Sequence, residues 1–196
     1  MHALPDTHLD LGCGDRPRNP YRKTNVYGLD IRDIQDRNGI TFKKADLNFE
    51  KIPFEDNFFG SVSAFDYLEH IPRVLVAQNN LTTFPFIELM NEVWRILANG
   101  GKFYALTPCY PSSQTFQDPT HVNFITDTTH QYFCGNPPEG SMYGFKGRFK
   151  VERCEWIIHK DSHFADPLTT KQKIRRFLHE KRGKLTHFKW EMTAIK

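Results

Sequence analysis

Apolar and polar positions along the chain follow two different periods. Short stretches in which apolar residues alternate or run together recur at 7–11 (THLDL), 25–30 (NVYGLD), 41–45 (TFKKA), 61–65 (SVSAF) and 102–107 (KFYALT). Two more follow at 149–158 (FKVERCEWII) and 187–195 (HFKWEMTAI). Bounded by Gly, Pro, Asn and Asp, these read as strands. Residues 86–97 (FIELMNEVWRIL) instead place Phe86, Leu89, Met90, Val93, Ile96 and Leu97 at i, i+3, i+4, i+7 spacing. That spacing predicts a helix with one face on a sheet, stopped by Asn99-Gly100-Gly101. The alternation of segments indicates an α/β protein.

The first two connections are short. "GCGDRPRNPYRKT" and "IRDIQDRNGI" carry little helical periodicity, so loops are expected there in place of full crossover helices. No repeat or linker divides the 196 residues, which read as a single domain, 1–196, with an insertion after the sixth strand at about 160–186. Composition adds few constraints: 39% hydrophobic residues and 17 Phe favour a packed globule. No run is long enough for a membrane span. The N-terminal residues lack the basic flank and apolar core of a secretory signal. Cys13, Cys109, Cys134 and Cys154 form no metal-ligand pattern, so reduced thiols in a cytoplasmic protein are expected. The net charge of +3 is uneven, because residues 171–189 (KQKIRRFLHEKRGKLTHFK) contain one acid, Glu180. That stretch suits nucleic acid, an acidic polymer or anionic lipid, or else a solvated helix face.

The chemistry gathers at strand ends. Asp10-Leu11-Gly12-Cys13-Gly14 closes the first strand, and Gly12 and Gly14 let backbone approach a ligand without a Cβ in the way. Asp30 ends the second strand, where a carboxylate can accept both hydroxyls of a ribose. Asp46 ends the third, beside an expected adenine edge. Singly, each acid can be a turn or a cap; in order along one sheet edge, the three fit a nucleoside. A dinucleotide is less suited, because Pro17 stands where a third glycine would open a helix.

In order, "LDLGCG" (9–14), "VYGLDI" (26–31), "ADLNFEKIPFEDNFFGSVSAFDYLEHI" (45–71) and "ELMNEVWRILANGGKFYALTP" (88–108) resemble the class I, Rossmann-like S-adenosylmethionine-dependent methyltransferases, particularly methyltransferase type 11. The resemblance implies a seven-stranded, mostly parallel sheet of order 3-2-1-4-5-7-6 with the last strand antiparallel and helices on both faces. It implies S-adenosylmethionine as cofactor, with Asp10, Gly12, Cys13 and Gly14 around its amino-acid end. Asp30 and Ile31 would meet the ribose, and Asp46 and Leu47 the adenine. Phe65 and Asp66 would line the passage to the acceptor. Gly60 stands where relatives commonly carry an aspartate, and Arg16 replaces a third glycine.

On the acceptor side, His121 in "QDPTHVNFIT" (117–126) is the candidate base for a hydroxyl nucleophile, or else a brace for its loop, and Asp66 is the second candidate catalytic residue. Asp66, Glu69 and His70 sit at i, i+3, i+4 and, with His121, resemble the metal site of small-RNA 2′-O-methyltransferases and some quinone-precursor O-methyltransferases. A divalent metal is therefore possible, although capping and cofactor-side contacts are the favoured reading. His159 and His163 read as a solvent-exposed pair. The expected reaction is methyl transfer to a small-molecule or sugar acceptor at oxygen. The alternatives are RNA methylation through 171–189, or a cofactor-binding scaffold without catalysis.

Overall fold

The computed structural model describes residues 3–76 and 81–196. Strands β1 (Thr7–Leu11), β2 (Asn25–Asp30), β3 (Thr41–Lys44) and β4 (Phe59–Phe65) precede helix α1 (Pro85–Ile96) and β5 (Leu97–Pro108). After β6 (Phe149–Ile157) come helix α2 (Thr170–Lys181) and β7 (His187–Ala194). The sheet runs β3-β2-β1-β4-β5-β7-β6. All pairings among β1 to β5 are parallel, and β7 is antiparallel to both neighbours. Two further short strands, Leu75–Val76 and Thr82–Thr83, pair with each other outside this sheet; the sequence pattern contained no sign of them. No helix lies between β1 and β2 or between β2 and β3, as their polar connections, the first carrying Pro17 and Pro20, imply.

The two faces of the sheet are closed differently. Leu9, Leu11, Phe59, Val62, Phe103, Trp190 and Met192 point to one face and pack on α1 through Phe86, Leu89, Met90, Val93 and Ile96. Burying each such side chain contributes about 1.5–3 kcal/mol, so this layer carries most of the apolar driving force. The opposite face holds a small cluster, Phe65, Tyr104, Leu106 and Ile157, covered by Tyr21, Ala165 and Leu168 from loops. Around it lie His8, Asp10, Ser61, Ser63, Lys189 and Glu191, all buried. Helices on both faces were expected; here coil closes the second face, and α2 buries none of its residues.

Two local expectations change. The helix ends at Ile96, and Leu97 already pairs with Phe59. Residues 98–101 then loop out before the ladder resumes at Lys102 opposite Ser61, so Asn99-Gly100-Gly101 interrupts a strand and does not stop a helix. Gly60 lies inside β4, where an added Cβ would fall 2.0 Å from the Pro5 carbonyl oxygen. The close approach of the N-terminal segment accounts for glycine at this position.

Candidate active site

The glycine turn follows from the end of β1. Gly12 and Gly14 have φ of 60° and 58°, the left-handed region where glycine has no Cβ penalty. The turn is tied to the next strand: the Cys13 amide donates to the Leu29 carbonyl at 3.2 Å, and the Gly14 amide to Asp30 Oδ2 at 2.8 Å. Asp30 also accepts from the Arg32 amide at 3.0 Å and from Arg32 Nε at 2.8 Å. Burial raises the Asp30 pKa, but the hydrogen bonds from Arg32 and Gly14 outweigh it and hold the carboxyl below its ordinary value. Any ligand hydroxyl reaching Asp30 would have to displace the exposed Arg32 guanidinium, while the backbone bonds could stay.

A residue missed from sequence stands over this turn. A Cβ built on Gly12 would lie 2.2 Å from the Tyr67 ring, and burial, with the Asp46 and Asp30 carboxylates, raises the Tyr67 hydroxyl pKa. Tyr67 thus packs on the bare backbone, its hydroxyl close enough to feel both strand-end acids. The available signal was an aromatic directly after Asp66. Ile31 is 58% exposed beside Asp30, and Asp46 caps its own turn by accepting from the Asn48 amide at 3.0 Å.

Among the predicted contacts, Asp10, Leu47 and Phe65 lie in the body of the protein. Leu47 is in the main core and Phe65 in the second cluster, where Arg18 lies 4.8 Å above its ring. Asp10 is fully buried on the second face. Its Oδ2 accepts from the Arg18 amide at 2.8 Å and its Oδ1 from the Ser63 hydroxyl at 2.5 Å. Burial pushes Asp10 up to about 7 and the Cys13 thiol up to about 12. Asp10, expected at the cofactor's amino-acid end, thus holds the 12–18 loop from beneath in this structure. His8 bridges Ser61 at 2.8 Å and Ser63 at 2.9 Å in the same row, and burial lowers its pKa to about 3, keeping it neutral.

Beyond β4 and β5 a cleft of about 570 Å³ is lined by Asp66, Glu69, His70, His121 and His187, among others. Asp66 has φ of 50°. His159 Nε2 donates to its Oδ2 at 3.0 Å, and His187 Nε2 stands 3.1 Å from its Oδ1. Burial raises this carboxyl's pKa, but the two imidazoles hold it well below the usual carboxylate range. His159 is therefore a partner of the site and not one of a solvent-exposed pair. The pairing joins residues more than ninety positions apart, which no local pattern reports.

Asp66 is not grouped with the other three predicted metal candidates. One ligating atom each of Glu69, His70 and His121 lies within 4.8 Å of the others, while Asp66 forms a separate group with His159 and His187. The loop bearing His121 is pinned to the Leu68–His70 turn, since the Val122 and Asn123 amides both donate to the Glu69 carbonyl at 2.9 Å. Thr120 donates its hydroxyl to Asp118 at 2.7 Å, leaving the oxygen to accept from His70 Nδ1 at 2.9 Å. His121 Nδ1 donates to the Thr115 carbonyl at 3.1 Å. In the neutral rings both lone pairs are thereby assigned to Nε2. His121 Nε2 faces Glu69 Oε1 at 4.0 Å. That oxygen is buried without a hydrogen-bond partner, while Glu69 Oε2 accepts from Thr107 at 3.0 Å. Burial pushes Glu69 up to about 8, and the Asp66 carboxylate adds to the effect.

The comparisons with known proteins agree with this fold. Residues 9–105 match the family described as "Methyltransferase domain". No curated protein matches the sequence. Among solved structures, a chain of the complex between the Haloferax volcanii Trm112 methyltransferase activator and its methyltransferase superposes with a TM-score of 0.60 at 16% identity. It covers 97% of this chain and 83% of that one. An S-adenosylmethionine-dependent methyltransferase from Mesorhizobium loti gives 0.57 at 16% identity, covering 98% and 93%. Geranyl diphosphate C-methyltransferase from Streptomyces coelicolor gives 0.54 at 13% identity, covering 98% and 73%. The family match, the sheet order and the bare turn facing the strand-end acids lead to one conclusion: the chain carries a methyltransferase domain with the fold of the class I S-adenosylmethionine-dependent methyltransferases.

Proposed function

We propose that the enzyme methylates an oxygen of a small hydroxylated acceptor, a small molecule or a sugar, held in the cleft beside Asp66, and that Glu69, His70 and His121 hold a divalent cation there. The observation that carries this reading is the pairing of a partnerless buried Glu69 Oε1 with two imidazoles whose Nδ1 atoms are committed elsewhere. Two-histidine, one-carboxylate sets of this kind suit divalent transition metals, and the hydrogen bonds at Nδ1 are the second layer that orients such ligands. A cation there would lower the pKa of an acceptor hydroxyl. The sulfonium methyl is already activated, so alignment supplies much of the remaining barrier reduction. In this reading His121 is a ligand and not a free base. Gly12, Cys13, Gly14, Asp30, Ile31 and Asp46 form the cofactor bay, with Asp10, Leu47 and Phe65 supporting it from below.

A small acceptor suits the cleft's volume. RNA is less favoured, because the 171–189 stretch is partly neutralised within the fold. Arg175 pairs with Asp161, Arg176 and Lys189 pair with Glu155, and Lys189 is buried.

The test is manganese or zinc titration of EDTA-treated protein, followed by S-adenosylhomocysteine release across a panel of hydroxylated acceptors. Cation binding should be lost in Glu69→Gln and His121→Ala, with S-adenosylmethionine affinity unchanged in both variants. Cation binding that persists in Glu69→Gln places the metal elsewhere. Turnover indifferent to EDTA returns His121 to the role of base.

A further inference from the structure

Helix α2 is mounted inside out. Its half-buried residues, Gln172, Arg175, Arg176 and His179, are all polar. Arg175 is held by Asp161 and Arg176 by Glu155, and Gln172 completes a capping box with Thr169. The apolar residues are the exposed ones: Ile174 at 58%, Phe177 at 54% and Leu178 at 44%. With 3.6 residues per turn they form one strip, and Lys171, Lys181 and Arg182 flank it. Lys181 Nζ lies 5.5 Å above the Phe177 ring. A helix packed on a globular core shows the reverse arrangement. Ion pairs attach α2 to the body, and about half of each apolar side chain stays in solvent in the isolated fold. Among the described residues, none of the three flanking cations is engaged in an ion pair.

We propose that α2 docks on a membrane surface containing anionic lipid, with Ile174, Phe177 and Leu178 entering the headgroup boundary and Lys171, Lys181 and Arg182 facing lipid phosphates. An apolar strip edged by lysine and arginine is the pattern of an interfacial helix, and the long basic side chains can reach outward while their stems stay apolar. Charge and shape decide between occupants. A second copy of the chain would bring cation against cation. One convex helix with three apolar side chains falls short of the roughly 800 Å² per partner of a standard protein interface. Nucleic acid would have no use for the apolar centre of the strip. The inference does not rest on the proposed acceptor. Asp161, which holds Arg175, and His159, which holds Asp66, belong to the single turn His159–Asp161. The lipid-facing helix and the cleft therefore share one support.

The test is flotation of the full chain with vesicles of phosphatidylcholine alone and of phosphatidylcholine mixed with phosphatidylglycerol. Two variants accompany it, Ile174→Ser/Phe177→Ser/Leu178→Ser and Lys171→Glu/Lys181→Glu/Arg182→Glu, each checked for an unchanged melting temperature. Binding is expected to the mixed vesicles only, to weaken with salt, and to fall at least tenfold in both variants. A chain that stays unbound with mixed vesicles overturns the proposal. So does a serine variant that floats like the wild type, which would leave charge alone at work. Loss of a dimer in the serine variant, without vesicle binding by the wild type, would assign the strip to self-association instead. RNA binding abolished by the glutamate variant alone, again without flotation, would assign the cations to nucleic acid.

Discussion

Replacing Asp10 with asparagine tests whether a buried, shared proton underlies the glycine turn. In the structure the Ser61 hydroxyl, His8, the Ser63 hydroxyl and Asp10 form a row that ends on the Arg18 amide. Neutral His8 donates from one nitrogen and accepts at the other, so the row has a direction. The Asp10→Asn side chain would keep every partner if that direction reversed, with its oxygen on the Arg18 amide and its nitrogen donating to Ser63. What changes is the ionisation. Asp10 titrates at about 7 in the fold against 3.8 as its ordinary value. A group raised in this way contributes fully below 3.8, and that contribution is lost as pH climbs through 7. Between pH 5 and pH 8 the wild type should lose about 2–3 kcal/mol from this group alone, at 1.36 kcal/mol per unit. Asparagine should lose none of it. For a protein of 196 residues that corresponds to a melting-temperature difference, variant minus wild type, that grows by about 5–10 °C from pH 5 to pH 8. Differential scanning fluorimetry across that range reads it directly, and the variant-minus-wild-type difference cancels other groups such as Glu69. A difference that stays flat would mean that Asp10 is ionised throughout, and the shared-proton reasoning would fail.

Three further outcomes are expected. Asp30→Ala removes charge-assisted hydrogen bonds worth about 1.5–3 kcal/mol each, so calorimetric titration should show S-adenosylmethionine binding at least tenfold weaker; unchanged affinity would place the ribose elsewhere. Gly12→Ala imposes a left-handed penalty of roughly 1–2 kcal/mol and drives a methyl into the Tyr67 ring. Cofactor binding should be lost, and Gly12→Ala/Tyr67→Ala should recover part of it if the ring is the obstacle. Gly60→Ala sets a Cβ against the Pro5 carbonyl and should cost about 1–3 kcal/mol in chemical denaturation; a neutral result would show that the N-terminal segment simply lifts away.

The strands were legible because their alternation survives into the structure. Phe103 and Ala105 face one side, and Tyr104 and Leu106 the other. The strand-end order of Asp10, Asp30 and Asp46 was legible for the same reason, since parallel strands with short connections must bring their carboxyl ends to one edge. His8 and Asp10 alternate with Leu9 and Leu11, so a side chain at Asp10 belongs to the face away from the main core. What sequence could not convey was long-range pairing and sidedness. Asp66 meets His159 and His187 only after β7 inserts between β5 and β6. The apolar strip of α2 was visible as a period, but no period states which side of a helix turns to solvent. There the ion pairs of Arg175 and Arg176 settle the question.

The unequal faces of the sheet have a thermal consequence. Apolar surface exposed on unfolding raises the heat capacity and polar surface lowers it, by about 0.45 and 0.26 cal/mol/K per Å² respectively. The α1 layer alone would give a strongly curved stability profile, weakening in the cold. The layer of His8, Asp10, Ser63, Lys189 and Glu191 pulls the other way, because its exposure subtracts from the curvature. The two layers lean on opposite sides of the temperature scale, and together they flatten the curve across the range in which an enzyme has to work.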